Sequence, residues 1–185
     1  IGTSSVRRVG LIKNHRPDLK TVLFRGNINT RLQKLDNREV DATILAVAGL
    51  RRIGLVDQVT QKFTLEEFPP AIGQGAIGVQ CRLPKCKADE KVFNWISKVN
   101  HRESAICVES ERAMLGALDG SCQTPIAGFS KLTREENITL KGFVISPDGK
   151  KIYSEDGTSS QADAAKLGQE IGQRLLIKAG SDLVR

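Results

Sequence analysis

GTSSVRRVGLIKNHRPDLKTVLFRGNINTRLQKLD, residues 2–36, is the stretch on which the fold class turns. Ser4 to His15 is helix-compatible, and Arg16-Pro17-Asp18 stops it, because proline cannot continue a helix and disfavours helical backbone in the residue before it. Thr21 to Phe24 is apolar and β-branched in part and reads as a short strand. Asn29 to Leu35 is a second helix, entered through Asn27 or Asn29, whose side-chain oxygens can accept a first-turn N–H. The pattern then recurs. Ala42 to Val47 predicts a second buried strand, followed from Ala48-Gly49 by another helical turn. Strands alternating with helices predict an α/β domain over residues 1–69, a mixed and largely parallel sheet covered by helices.

Phe68-Pro69-Pro70 breaks that pattern. Ala71 to Cys81 (AIGQGAIGVQC) alternates, with Ile77, Val79 and Cys81 on one face, and predicts a strand crossing between domains. Leu83 to Asp89, with Pro84, Lys85 and Lys87, reads as linker, so residues 70–89 form a connecting stretch. Residues 90–185 have another character. Helices are expected over Glu90 to Val99 and over Glu103 to Leu118, the second closed by Gly120 in the position favoured at helix C-termini. Strands are expected over Pro125 to Leu132, Ile138 to Ile145 and Lys151 to Ser154, with Ser146-Pro147-Asp148-Gly149 as the turn between the last two. An amphipathic helix from Ala162 to Ala179 follows, giving a small α+β domain with a three-stranded antiparallel sheet.

The net charge of +7 asks for an acidic partner without naming one. Nucleic acid is disfavoured: one Trp, one Tyr and six Phe form no stacking row beside the basic residues. The longest apolar stretch, Ile44 to Leu50, is far shorter than the roughly 20 residues of a membrane span. Cys81, Cys86, Cys107 and Cys122 are separated by four, twenty and fourteen residues, which matches no zinc ribbon or finger, so no metal site is expected. Reduced thiols in a cytoplasmic setting are the expectation.

Three loops share one design. GTSSVRR opens the first helix, RGNINTR (25–31) follows the strand ending at Phe24, and GLRR (49–52) follows the strand ending at Val47. Ligands of α/β sheets sit beyond the carboxyl ends of the strands, so these loops should line one crevice. The sign of the charge is unusual. A helix N-terminus favours Asp or Glu in its first turn, yet Arg7, Arg8 and Arg31 occupy or adjoin first turns, at a cost of about 0.3–1 kcal/mol each without an anion. A bound carboxylate would instead meet free N–H groups, hydroxyls and guanidinium forks. Any one of these arginines alone reads as a solvated surface charge; the coincidence of three loops points to a multiply anionic ligand.

The same loops carry a resemblance. GTSSVRR at 2–8, FRGNINTRLQKLD at 24–36, ILAVAGLRRIG at 44–54, PAIGQGAIGVQCR at 70–82 and GSCQTPIAGFS at 120–130 resemble, in that order, the hydroxymethylbilane synthase family. The resemblance implies a tetrapyrrole-forming transferase that condenses four porphobilinogen molecules head to tail and releases ammonia. It implies a dipyrromethane cofactor held by a thioether to Cys122, the primer of the growing polypyrrole. Carboxylates of cofactor and substrate would be bound by Arg7, Arg8, Arg25, Arg31 and Arg52, with Thr3, Ser4, Ser5 and the Gly26-Asn27 backbone assisting. Arg51 is a weaker case, since the family varies in charge there. Ser121 departs from the second glycine usual in the cofactor loop. The family resembles a three-domain protein whose first two domains are similar to periplasmic-binding-protein folds. On that map residues 1–69 are most of domain two, 70–82 a strand returning to domain one, and the remainder domain three.

The chain opens at Ile1-Gly2 with no Met and reads as a fragment or processed piece. The family's general acid/base, an aspartate of domain one, has no match here, so this chain alone is expected to be inactive. Its partners are then porphobilinogen, the growing polypyrrole and the N-terminal domain, in a protein that is a monomer at full length. By position alone Cys122 is a plausible loop thiol, whereas Cys107 shares a helix face with Met114, Leu115 and Leu118 and reads as a small hydrophobe. Cys81 falls on the apolar side of its strand and Cys86 in the linker. The alternative to the enzyme is a non-catalytic anion-binding module with a structural Cys122.

Overall fold

The computed structural model describes residues 1–120 and 124–180. In chain order its helices are α1 (Val6–His15), α2 (Ile28–Asp36), α3 (Val47–Arg52), α4 (Lys87–Ser97), α5 (Arg102–Ala117) and α6 (Ala164–Ala179). Its strands are β1 (Ile126–Leu132), β2 (Asn137–Ile145) and β3 (Ile152–Ser160), which form one antiparallel sheet in that order. The α+β expectation for the C-terminal half is met.

Side chains alternate across a strand, so each strand feeds two faces. Ile138, Leu140 and Val144 join Met114 and Leu118 of the α5 region and Leu167, Ile171 and Leu175 of α6. Phe143 and Ile145 face the other way, with Ala127 and Phe129 of β1, and Leu11 of α1 packs on them beside Phe68. Both faces of the sheet are therefore covered, one by its own domain and one by the N-terminal half. Gly128 lies opposite Gly142 in the register, and Met114 fills the pit these two residues leave. A Cβ on Gly128 would stand 2.8 Å from Met114 Cε, and one on Gly142 would stand 2.9 Å from Leu175 Cδ1.

The sheet of the first 69 residues is smaller than expected. Gly2 bridges Val22 and Thr43 in parallel, and each contact is isolated. The three segments line up with residue 2 in the middle, but the expected strands at 21–24 and 42–47 are not formed. Pairing stops where the middle segment turns into α1 at Ser5, and Val47 is taken into α3. Residues 71–81 form no strand either. Turns at Gly73 (φ 67°) and Gly75 (φ 96°) open the stretch, and Ile77 and Val79 stand 69% and 58% exposed. A strand exists through hydrogen bonds to a neighbour, and among the described residues this one has none. The linker is shorter than expected, because α4 already starts at Lys87. β3 is longer, running on through polar residues to Ser160 opposite Asn137.

Gly142→Ala should lower stability by about 1–3 kcal/mol through overpacking against Met114 and Leu175. Urea unfolding checks this as a lower midpoint at unchanged slope.

Candidate functional site

α1 is capped by Ser5, whose Oγ accepts the Arg8 N–H at 3.4 Å. Thr3 is buried; its N–H donates to Val22 O at 3.0 Å and its Oγ1 accepts the Ser5 N–H at 3.3 Å. Ser4 is exposed. No acidic residue enters the first turn of α1, which presents Arg7 and Arg8 instead. Both line a cleft of about 670 Å³ together with Thr43, Ile44, Gln61 and Gln74.

The two guanidiniums are held differently. Arg8 Nη1 donates to Ile44 O at 2.6 Å. Arg7 Nε is buried and, among the described residues, has no hydrogen-bond partner. Burial, and then the adjacent Arg8 charge, bring the Arg7 pKa down to about 10. Arg8 is lowered as well, first by burial and then by Arg31. A buried donor without an acceptor costs free energy. Both departures from an ordinary arginine are relieved by an anion in the cleft. A group rich in carboxylates, such as a dipyrromethane, fits this donor set.

α2 is entered through Asn27, whose Oδ1 accepts the N–H and the hydroxyl of Thr30, each at 2.9 Å. Arg31 Nε donates to Gly26 O at 2.8 Å, where the chain passes φ 130°. Arg31 thus stands near Arg8 but does not line the cleft. Arg25 and Arg52 are exposed and do not line it either. The helical turn expected after Ala48-Gly49 is α3, so GLRR is helical, and Arg52 falls in its last turn, where the helix dipole favours a cation without any ligand.

Cys122 lies outside the described residues. The element before it, α5, closes in a Schellman-type turn: Gly120 N–H to Leu115 O at 3.1 Å and Asp119 N–H to Gly116 O at 3.0 Å. The left-handed residue is Asp119 (φ 51°), not the glycine. Gly120 is needed for space, since a Cβ there would stand 2.8 Å from Leu115 Cδ1. The other three cysteines are free thiols. Burial and the charges of Glu111 and Glu103 push the Cys107 thiol up, away from reactivity. Cys86 is exposed and donates from Sγ to Asp89 Oδ2 at 3.3 Å.

Glu111 had no place in the sequence reading. It is buried on α5, its Oε2 accepting the Gly73 N–H at 2.7 Å and its Oε1 the Ser130 N–H at 2.8 Å. The signal was a carboxylate on the apolar face of α5: 111, 114, 115 and 118 share the spacing of one helical face.

Two family models match the chain. One, described as porphobilinogen deaminase, dipyromethane cofactor binding domain, covers residues 1–91, and the other, porphobilinogen deaminase, C-terminal domain, covers residues 105–177. The porphobilinogen deaminase of Nitrobacter hamburgensis is 41% identical over 180 residues, which are 97% of this chain and 55% of that protein. The chloroplastic porphobilinogen deaminase of Pisum sativum is 41% identical over 184 residues, 97% of this chain and 48% of that protein. The chain spans about half the length of the curated relatives it matches.

Arg7→Met should leave the ligand-free chain equally or more stable, since it removes a buried donor that nothing accepts. It should at the same time weaken the binding of a polycarboxylate. Thermal unfolding with and without the ligand checks both: an unchanged or raised Tm without it, and a smaller upward shift with it.

Proposed function

The chain belongs to the porphobilinogen deaminase family, and on that footing we propose that it supplies the cofactor-holding part of an enzyme that joins four porphobilinogen molecules head to tail. Ammonia leaves at each joining, and the product is hydroxymethylbilane. The observation that carries the proposal is the buried, unpartnered Arg7 Nε beside Arg8 in a cleft. Porphobilinogen bears an acetate and a propionate, so each added ring brings two carboxylates. Arg7 and Arg8 bind them from the first turn of α1, where the helix end adds its own positive potential. Arg31 lends charge from α2. Arg25 and Arg52, exposed outside that cleft, would meet the carboxylates of a longer chain, with Thr3, Ser4, Ser5, Gly26 and Asn27 shaping the two helix entries.

A bound dipyrromethane supplies the primer, a pyrrole carbon to which the next ring is joined. Cys122 anchors it by a thioether. Sulfur suits the task, because a thiol captures a soft carbon electrophile near neutral pH and the C–S bond then outlasts later additions. On this reading the aspartate that moves protons during deamination lies outside residues 1–185, which alone do not turn over; the chain's span of about half of its relatives' length supports this.

The alignment of residue 2 between Val22 and Thr43 supports a periplasmic-binding-like sheet for residues 1–69. The exposed Ile77 and Val79 support a role for 71–81 as a strand that pairs outside this chain. The protein works as a cytoplasmic monomer at full length.

Intact-mass measurement of the purified complete enzyme tests the anchor. An adduct of two linked pyrroles is expected, lost in Cys122→Ser together with activity. Active protein whose Cys122 carries no adduct would contradict the proposal.

A further inference from the structure

The titratable group that this mechanism leaves unused is Glu111. It is 7% exposed, and among the described residues no lysine, arginine or histidine pairs with it. A carboxylate at that depth is costly unless hydrogen bonds replace its water. Both oxygens are used, one by Gly73 N–H at 2.7 Å and one by Ser130 N–H at 2.8 Å.

The two donors explain the location. Ser130 lies on β1, an edge strand paired only with β2 among the described residues, so alternate N–H groups of β1 face away from the sheet. Gly128 N–H is satisfied by Pro70 O at 3.1 Å, and Ser130 N–H by Glu111. The stretch from Pro70 to Gly73 thus runs beside the edge of β1, held at one point by backbone and at the next by the carboxylate. Ile72, between them, packs against the core around Met114. The neighbour of Gly73, Gln74, lines the cleft of Arg7 and Arg8.

Glu111 therefore stands at a junction of three parts. α5 carries it, β1 donates to it, and the 72–75 turn donates to it from the wall of the cleft. α5 and β1 are also the elements that lead into and out of residues 121–123. We infer that Glu111 is a positioning residue: its two-oxygen bridge sets the Gln74 wall of the arginine cleft relative to the elements that flank Cys122. In its functional part this rests on the proposed reading of that cleft. Only a carboxylate of this length serves. Gln at 111 keeps one acceptor and turns an NH2 toward the second N–H donor. Asp keeps both oxygens but is one methylene too short to span both donors.

The test combines amide hydrogen exchange with porphobilinogen kinetics, each on the complete enzyme as wild type, Glu111→Gln and Glu111→Asp. Exchange at Gly73 or Ser130 should quicken roughly tenfold or more in both variants, as expected for the loss of a hydrogen bond to a charged group, while β2 amides stay protected. KM for porphobilinogen should rise in cofactor-loaded protein; simple loss of folded enzyme would lower apparent kcat at unchanged KM. Wild-type exchange at both amides would remove the bridge. Faster exchange with wild-type KM and kcat would remove the positioning role. A wild-type enzyme that neither carries the adduct nor consumes porphobilinogen would overturn the proposed function and that role, and leave the bridge to be judged by exchange alone.

Discussion

Burial of one three-stranded sheet on both faces governs the geometry of this chain. Met114, Ile171 and Leu175 cover one face from α5 and α6. Leu11 of α1 covers part of the other, over Phe129, Phe143 and Ile145. Each large apolar side chain removed from water contributes about 1.5–3 kcal/mol. α1 therefore cannot leave the sheet without exposing two phenylalanines. Nor can it shift easily along it, since at Gly10 a Cβ would already stand 2.6 Å from Ile145 Cγ2 and 2.8 Å from Ser146 O. Arg7 lies one turn before Leu11 on the same helix, and β1, in the same sheet, follows residues 121–123. The packing of α1 on the sheet thus sets the offset between the cationic cleft and β1.

Two buried charges complete that frame in opposite ways. Glu111 has an N–H on each oxygen, and burial still pushes its carboxyl up because desolvation outweighs the two bonds. Arg7 has a buried Nε with nothing among the described residues to accept from it, and its guanidinium is lowered by the same cause. A satisfied buried charge holds structure together. An unsatisfied one, in a cleft and beside a second cation, is a place prepared for an anion. That contrast separates the proposed binding residue, Arg7, from the proposed positioning residue, Glu111.

Much of this was legible in the residues. α1, α2, α5 and α6 show helical spacing, and Ser5 and Asn27 cap the first two as their residue types lead one to expect. The antiparallel sheet was legible in its apolar alternation, except for the polar end of β3, where one solvent-facing side and small residues hide the strand. The strands not seen among the described residues share one cause. Residues 21–24, 42–47 and 71–81 have strand-like composition, but a strand is a relation between two segments, and composition carries only one of them. The helical turn expected after Ala48-Gly49 is present as α3, which also takes in Val47 and carries Arg52 in its last turn. Glu111 escaped notice because its meaning depends on Gly73 and Ser130, which are distant in sequence and contribute only backbone.

In the proposed function the Arg7–Arg8 cleft holds carboxylates of the cofactor. A crystal structure of the complete, cofactor-loaded enzyme tests it most directly. A carboxylate of the bound pyrrole chain is expected within hydrogen-bond distance of Arg7 Nε, with Leu11 still seated on Phe129 and Phe143. A loaded structure in which Arg7 Nε remains without an acceptor while the cofactor carboxylates face solvent would contradict it.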